Sequence, residues 1–170
     1  DRFFQLLMIA GNETTRSLIA TGMQLLTDYP DQCRILLDDM SLLPAAIEEM
    51  LRFGPPVIQF RRTATQDTEL GGQTIKAGDK VVVFYASANR DETVFERPDT
   101  FDIRRNPNPH LSFGMGGHFC LGAHLARLEG RVFFAALLDA FGTIDLTGEP
   151  VRVRSNLNNS LKTLPIRLAA

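Results

Sequence analysis

Segment 113–122 constrains the fold of this chain more than any other feature, because it combines four glycines, three of them within 114–117, with a cysteine just before a helical pattern. The glycines permit backbone conformations that other residues avoid, and they let the main chain approach a bound surface closely. Apolar spacing predicts a long helix over 121–141, directly after Cys120. The N-terminus of a helix offers unpaired N–H groups and a positive dipole, which stabilise a thiolate. The segment therefore predicts that Cys120 is held as a thiolate.

Helical patterns dominate the first third of the chain. Apolar residues recur at helical spacing across 1–27, around a polar insert at 10–15. Nothing in the sequence caps the first apolar residues and there is no initiator Met, so we expect the chain to begin inside a helix of a longer protein. Two further helices are predicted within 30–53, where Pro44 fits a first turn and Gly54 follows the last one.

Short strands are predicted in two other regions of the chain. β-Prone runs separated by glycines occupy 57–84, and similar runs recur in the tail, 143–170. Between the first of these regions and the long helix, segment 86–120 is rich in Asn, Asp, Arg, Pro and Gly and shows little periodicity. An irregular stretch of this length is unusual in a compact domain unless it has a function. The whole pattern predicts a mainly α fold with small β-sheets.

Composition excludes several classes of partner. The 170 residues are 44% hydrophobic and 22% charged, which is enough to bury a core. A formal net charge of -2 provides no basic field for nucleic acid. No apolar run approaches the roughly 18 residues that a membrane span requires. We therefore expect a cytoplasmic protein that binds no nucleic acid and has no membrane span.

The two cysteines, Cys33 and Cys120, do not form a disulfide framework, so each thiol needs its own interpretation. Cys33 lies in an amphipathic helical run, where a small, half-buried apolar residue suffices. For Cys120, the residues alone leave two alternatives to a functional thiolate: a buried cysteine in a glycine-rich loop, or a zinc ligand beside nearby histidines. Those histidines are His110, His118 and His124. Their spacing matches no common zinc arrangement.

Phe113, Gly116, Cys120 and Gly122 match the pattern F-x-x-G-x-x-x-C-x-G at every defined position. In this the chain resembles the C-terminal, heme-binding part of a bacterial member of the cytochrome P450 family. The resemblance implies the C-terminal part of the cytochrome P450 fold, with heme b as cofactor and Cys120 as the axial ligand of the heme iron. A thiolate in that position favours cleavage of the O–O bond during oxygen activation.

The same resemblance implies further contacts of the cysteine loop with heme. Phe113 is expected to pack near the sulfur, and Gly122 to let the following helix approach the porphyrin. Gly114 is another expected heme contact. His118 is placed where the family meets a heme propionate.

Residues 10–15 fit the family's distal-helix pattern, A/G-G-x-D/E-T-T. The resemblance implies that Ala10 contacts heme and that Glu13 and Thr14 are the acid and the alcohol that relay protons during oxygen activation. A threonine hydroxyl can also bond back to its own helix, and Gly11 weakens the local ladder. An exposed polar turn is the alternative that the residues alone leave open.

Glu49 and Arg52 lie three residues apart on a predicted helix and therefore share a face. Alone they suggest an exposed ion pair worth about 0.2–0.5 kcal/mol. In the family, the matching E-x-x-R motif is a structural ion pair that ties its helix to the irregular segment before the cysteine loop. The family often adds an arginine where this chain has Thr100. Three residues are candidates to replace it: Arg97, Arg104 and Arg105.

Other positions correspond to weaker family patterns. Arg62 aligns with a strand arginine that pairs with a heme propionate through bidentate hydrogen bonds, and Arg61 is the competing choice. Val57 and Ile58 resemble a segment that presents apolar side chains to substrate. Ser160 lies in a tail loop that resembles a second substrate contact. Apolar strand residues that only fill the core are the alternative.

The resemblance implies that the intact protein is a heme-thiolate monooxygenase that inserts one atom of O2 into a C–H bond of a lipophilic small molecule. Electrons are expected from an acidic ferredoxin or flavodoxin that docks near Arg127 and Arg131, for which solvated helix charges are the alternative. The rival hypothesis is a non-catalytic fragment. Such a fragment self-associates through the surface that its missing half would cover, and it binds heme weakly or not at all.

Overall fold

The computed structural model describes residues 1–169, and Ala170, the last residue of the predicted β tail, lies outside the described residues. The helices are α1 (Arg2–Asp28), α2 (Pro30–Asp38), α3 (Leu43–Phe53), α4 (Tyr85–Ala88) and α5 (Ala123–Ala140). The strands are β1 (Gln59–Thr63), β2 (Thr68–Leu70), β3 (Gln73–Ile75), β4 (Lys80–Phe84), β5 (Thr143–Leu146), β6 (Val151–Arg152), β7 (Leu161–Thr163) and β8 (Ile166–Ala169). Short 3-10 turns span Met40–Leu42 and Gly116–His118. The expected fold class, mainly α with small β-sheets, is confirmed.

The first helix is capped, and the expectation that no cap precedes it is wrong. Oδ1 of Asp1 accepts a hydrogen bond of 3.2 Å from the N–H of Phe3, which satisfies one of the free donors of the first turn. The apolar side chains of that first part of α1 are exposed, and the helix enters the core only from Thr15 onward. The two halves of α1 therefore have different surroundings.

Helices α1, α3 and α5 pack against one another around a single core. Gly22 allows α1 to approach the others closely, because a Cβ atom there would come within 2.7 Å of the Phe134 ring and 2.8 Å of the Met50 sulfur. Cys33 of α2 is buried beside the same core, and burial raises the pKa of its thiol, in keeping with a packing role. Other core side chains that are almost fully buried are Leu18, Leu26, Leu36, Ile47, Leu51, Phe101 and Ile103.

Within residues 1–169 the strands form four antiparallel two-stranded sheets: β1 with β4, β2 with β3, β5 with β8 and β6 with β7. An isolated bridge between Val57 and Asn158 joins the approach to β1 with the tail loop. Between α4 and α5 the chain is irregular apart from the 3-10 turn at Gly116–His118, and it is anchored by Phe101 and Ile103, which reach the core. None of the helices within residues 1–169 is both long enough and apolar enough to cross a bilayer.

Candidate functional site

The loop that carries Cys120 is a tight, glycine-dependent structure. Gly114 and Gly116 have φ angles of +73° and +69°, in the left-handed region that side chains with a Cβ avoid. The N–H of Cys120 donates a hydrogen bond of 2.9 Å to the carbonyl of Phe113, and the N–H of Phe119 donates one of 3.0 Å to Gly116. These bonds close the loop on itself and leave the Cys120 side chain exposed.

Helix α5 begins at Ala123, two residues later than the apolar spacing predicts, with Gly122 as the residue before its first turn. Cys120 therefore precedes the helix rather than starting it, and its carbonyl accepts a hydrogen bond of 3.3 Å from the N–H of Ala123. A Cβ atom at Gly122 would lie 4.0 Å from the Cys120 sulfur. The glycine thus keeps the space beside the sulfur open.

Exposed apolar side chains flank Cys120 along the chain. Leu121 is 82% exposed, and three neighbours are exposed with it: Met115, Phe119 and Leu125. A Cβ atom at Gly116 or Gly117 would meet nothing within 4 Å, so the loop has an open face. An accessible thiol with an apolar border and an open backbone face fits a flat, apolar cofactor that takes a thiolate ligand.

Zinc finds no support in this arrangement. Within residues 1–169, no three His, Cys, Asp or Glu side chains form a group that could hold a metal ion. His110, one of the candidate ligands, is instead in contact with Glu48, at 3.0 Å from Nε2 to Oε2.

The remaining residues predicted to contact heme lie in the cysteine loop, on β1 and, at Ala10, on α1, and their roles stay predictions. Phe113 is flanked by the guanidinium of Arg127, at 4.4 Å from the ring centroid, and by Phe119, at 6.2 Å between centroids. His118 is exposed in the 3-10 turn of the loop, whereas Arg62 is exposed on β1. Arg62 donates a hydrogen bond of 3.1 Å to the carbonyl of its neighbour Arg61 and lies over the ring of Phe60. Both Arg61 and Arg62 are accessible, so the choice between them stays open.

The polar insert of α1 forms a small hydrogen-bonded group. Thr14 Oγ1 donates a hydrogen bond of 2.7 Å to the carbonyl of Ala10, the back-bonding that the sequence allows. Glu13 Oε1 lies 2.6 Å from the guanidinium of Arg16. This hydrogen bond is the main cause that lowers the pKa of Glu13, and a hydrogen bond from the Ser160 hydroxyl contributes. Glu13 and Thr14, the predicted proton relay, thus adjoin one another, and each already has a partner.

The predicted substrate contacts differ in exposure. Ser160 is only 2% exposed, and its hydroxyl lies 2.7 Å from that of Ser17, so it joins the tail loop to α1. The substrate contact expected at Ser160 stays a prediction. Val57 and Ile58 are half-buried, and the N–H of Ile58 donates a hydrogen bond of 2.8 Å to the carbonyl of Leu157. Those two contacts stay predictions.

Glu49 and Arg52 form a fully buried pair, with two contacts of 2.8 Å between guanidinium and carboxylate. The other three N–H donors of Arg52 reach the carbonyls of Asn89, Pro98 and Thr100. Every donor of the guanidinium is therefore used. The pair ties α3 to the irregular segment, and it is not the exposed pair that spacing alone suggests.

Arg105 supplies the additional arginine. Its Nε lies 3.2 Å from Glu49 Oε2, and its two terminal nitrogens donate to the carbonyls of Glu96, Arg97 and Thr100. Of the three candidates from the sequence, this is the one that contacts Glu49. Arg97 reaches only Glu96 and Asp102, at 3.8 and 3.9 Å.

Two important residues were missed by the sequence analysis. Asn89 is fully buried, and its side chain bonds the carbonyl of Arg52, the hydroxyl of Ser112 and the N–H of Leu111. Glu48 accepts bidentate hydrogen bonds of 2.7 and 2.8 Å from Arg127. The only sequence signal for Glu48 is its position next to the Glu-x-x-Arg motif. Asn89 lies in no periodic pattern that would indicate its role.

The charge of Arg127 is thus neutralised by a partly buried carboxylate. Burial raises the pKa of Glu48, but hydrogen bonds from His110 and Arg127 outweigh it and lower that pKa to about 2. The hydrogen bond to Glu48 in turn raises the pKa of Arg127, and the charge of a Cys120 thiolate adds to the effect. Arg131, by contrast, is exposed and bonds only the carbonyl of Arg127, so it is the freer of the two for a partner.

An accessible thiol on a glycine-dependent loop, at the start of a helix packed into an α-helical core, defines a thiolate site for a flat cofactor. The sequence profile of cytochrome P450 matches residues 3–168, and the chain belongs to the cytochrome P450 family. Heme b, bound through a cysteine thiolate, is the cofactor of this family.

Individual relatives support the assignment. The chain is 52% identical over 166 residues to putative cytochrome P450 126 of Mycobacterium tuberculosis. The aligned region covers 98% of this chain and 40% of that protein. It is equally similar, 52% over 166 residues, to the methyl-branched lipid omega-hydroxylase of Mycobacterium bovis, covering 96% of this chain and 39% of that protein. A crystal structure of CYP109E1 from Bacillus megaterium in complex with testosterone has a TM-score of 0.95 at 42% identity, covering 98% of this chain and 47% of that one. The chain spans about 40% of the length of the curated relatives it matches.

Proposed function

We propose that this chain is the heme-binding part of a monooxygenase that hydroxylates a lipophilic small molecule with O2. The observation that carries the proposal is the exposed Cys120 thiol on its glycine-dependent loop. Cys33, the other thiol, is buried in the core and has no comparable setting.

In this proposal Cys120 Sγ holds the heme iron, while Arg62 and His118 hold the propionates. When bound, heme supplies the one-electron and oxygen chemistry that no amino-acid side chain provides. The chain's own residues orient the cofactor and exclude water from its thiolate side. We assign that exclusion to Phe113 and Leu121, because both are apolar residues of the loop that carries Cys120.

Glu13 and Thr14 would move protons from solvent toward the cofactor. In the structure the Thr14 hydroxyl donates to the carbonyl of Ala10 and the Glu13 carboxylate is held by Arg16. Each group must therefore leave its present partner before it passes a proton.

The names of the relatives support a lipophilic substrate. One is a methyl-branched lipid omega-hydroxylase, and one solved structure holds testosterone.

We propose a ferredoxin or flavodoxin as electron donor, with Arg131 among its contacts, since an exposed arginine attracts an acidic protein. We also propose a cytoplasmic location, because a thiol that serves as an iron ligand must stay reduced.

The absorption spectrum of the protein with hemin, reduced and exposed to CO, tests the proposal. We expect a Soret band far to the red, the mark of a thiolate ligand, which disappears in Cys120→Ala. Cys33→Ala is the matched control, because it removes the other thiol and is expected to keep the band. A band that survives Cys120→Ala would contradict the assignment of the ligand.

A second candidate function rests on exposed apolar surface. Leu7, Met8 and Ile9 of α1 are exposed, and so are Leu121 and Leu125 beside the thiol. Patches of this kind favour association with other chains. A self-associating fragment would remain heme-free in the same titration and elute as an oligomer in size-exclusion chromatography, whereas heme uptake by a monomer would exclude it.

A further inference from the structure

Glu48 lies on α3 and contacts both α5 and the segment that precedes the cysteine loop. It stands on α3, immediately before the buried Glu49, and its two carboxylate oxygens bond the guanidinium of Arg127 on α5. A bidentate pair of this type fixes both the distance and the orientation of the guanidinium. Glu48 therefore sets the position of one arginine relative to the core helix.

Arg127 carries that constraint to the cysteine loop. Its guanidinium carbon lies 4.4 Å from the centroid of the Phe113 ring, within the range of a cation–π contact. The carbonyl of Phe113 accepts the hydrogen bond of 2.9 Å from the N–H of Cys120. A continuous series of contacts thus runs from Glu48 through Arg127 and Phe113 to the backbone of Cys120.

A second contact series reaches the segment before the loop. His110 Nδ1 accepts a hydrogen bond of 3.2 Å from the N–H of Ser112, which leaves the ring proton on Nε2. Nε2 lies 3.0 Å from Glu48 Oε2, so His110 donates to the carboxylate. Glu48 is consequently held to the chain on both sides of the glycine-rich loop.

We propose that Glu48 is a positioning residue for the thiolate ligand, acting through Arg127 and Phe113 to hold Cys120 in place. This inference rests on the proposed role of Cys120 as the ligand of heme. It assigns the charge of Arg127, whose side chain is 27% exposed, to the pair with Glu48 instead of to a docking surface. The proposed effect on Cys120 is geometric and not a net electrostatic effect, because Glu48 and Arg127 carry opposite charges and neutralise each other.

The opposite charges make the proposal testable in the complete heme-bound protein. Glu48→Gln removes a negative charge and Arg127→Gln a positive one, yet both break the same series of contacts. We expect both variants to lose thiolate character in the reduced CO complex, seen as a shift of the Soret band toward the thiol type. Heme affinity should fall about 10-fold in each, as is typical for contacts that orient a metal ligand.

The double variant, Glu48→Gln with Arg127→Gln, should lose no more than either single variant, since residues that act as a unit are not additive. Asp31→Asn and Arg34→Gln are the matched controls, because this exposed pair on α2 has the same chemistry and no contact with the loop. Both controls should keep the spectrum of the unmodified protein.

Opposite shifts in the two single variants would overturn the proposal in favour of a simple charge effect, and so would unchanged spectra in both. If Glu48→Gln does not fold, Arg127→Gln decides the matter through the same spectrum. Absence of a thiolate band in the unmodified protein would overturn the proposed function and this inference together. A normal band there, with unaffected variants, would overturn this inference alone.

Discussion

Two Glu-x-x-Arg pairs with identical spacing occur on helices of this chain and have opposite surroundings. Glu49 and Arg52 on α3 have no exposed side-chain surface, whereas Glu13 and Arg16 on α1 are 36% and 52% exposed. The distance from guanidinium nitrogen to carboxylate oxygen is short in both pairs, 2.8 Å for Arg52 and Glu49 and 2.6 Å for Arg16 and Glu13. The spacing of the motif therefore does not determine how much the ion pair contributes to stability. That contribution depends on the groups that surround the pair.

The partners differ in number and kind. The buried pair bonds backbone groups of the irregular segment from Asn89 to Asp102, so each charge is fully satisfied without water. In the exposed pair, the Glu13 carboxylate has the Ser160 hydroxyl as a further hydrogen-bond partner. A pair of the first kind fixes a structure, and a pair of the second kind can open, which a residue that moves a proton requires.

Breaking the buried pair should have the largest effect. Arg52→Ala leaves the buried Glu49 carboxylate with Arg105 as its remaining arginine partner and removes the donors to the carbonyls of Asn89 and Pro98, so we expect a loss of about 3–5 kcal/mol in the free energy of unfolding. Chemical denaturation of the protein measures this directly. Arg34→Ala, which breaks the exposed pair with Asp31 at the same spacing, is the control and should cost less than about 1 kcal/mol.

If Arg52→Ala cost no more than that control, the comparison between buried and exposed pairs would be refuted. Arg52→Lys tests whether the charge or the hydrogen-bond geometry of Arg52 matters, because a lysine keeps the charge but cannot reproduce the planar fork of five donors. We expect Arg52→Lys to remain close to Arg52→Ala in stability.

Arg105 should show an intermediate effect. Its side chain is 9% exposed and contacts both Glu49 and three backbone carbonyls. Arg105→Ala leaves Glu49 paired with Arg52, so we expect a loss of about 1–3 kcal/mol, the range for leaving buried polar groups without a partner. Arg104→Ala is the matched control, and an equal loss in both variants would remove Arg105 from the buried network.

The sequence allowed the local features of the site to be predicted. The glycines of the loop, the free thiol at Cys120 and the helix after it all follow from residue types in a short segment. The fold class followed from periodicity in the same way, because helices α1 and α5 each bury one side in the core. Such features depend on near neighbours in the chain, which the sequence displays directly.

Features that depend on distant neighbours could not be predicted. The choice of Arg105 over Arg97 depends on the path of an irregular segment that has no periodicity to read. The bonds of Asn89 and the pairing of Glu48 with Arg127 join residues 22 to 79 positions apart. The burial of Ser160 has the same origin, since its partner Ser17 lies 143 positions away.

The exposed pair should show the smallest effect on stability and a clear effect on protonation. Arg16→Ala removes an exposed ion pair, for which we expect a loss of only about 0.2–1 kcal/mol. Arg16 holds the pKa of Glu13 below its ordinary value, so the pair stabilises the fold above the unfolded-state pKa, and that stabilisation is lost as the pH falls through the folded-state pKa. In Arg16→Ala we expect the pKa of Glu13 to rise and this acid-dependent loss to shrink. An NMR titration of the Glu13 carboxyl measures the shift, with Arg34→Ala as control; an unchanged pKa would mean that Arg16 does not govern the charge of the proposed proton donor.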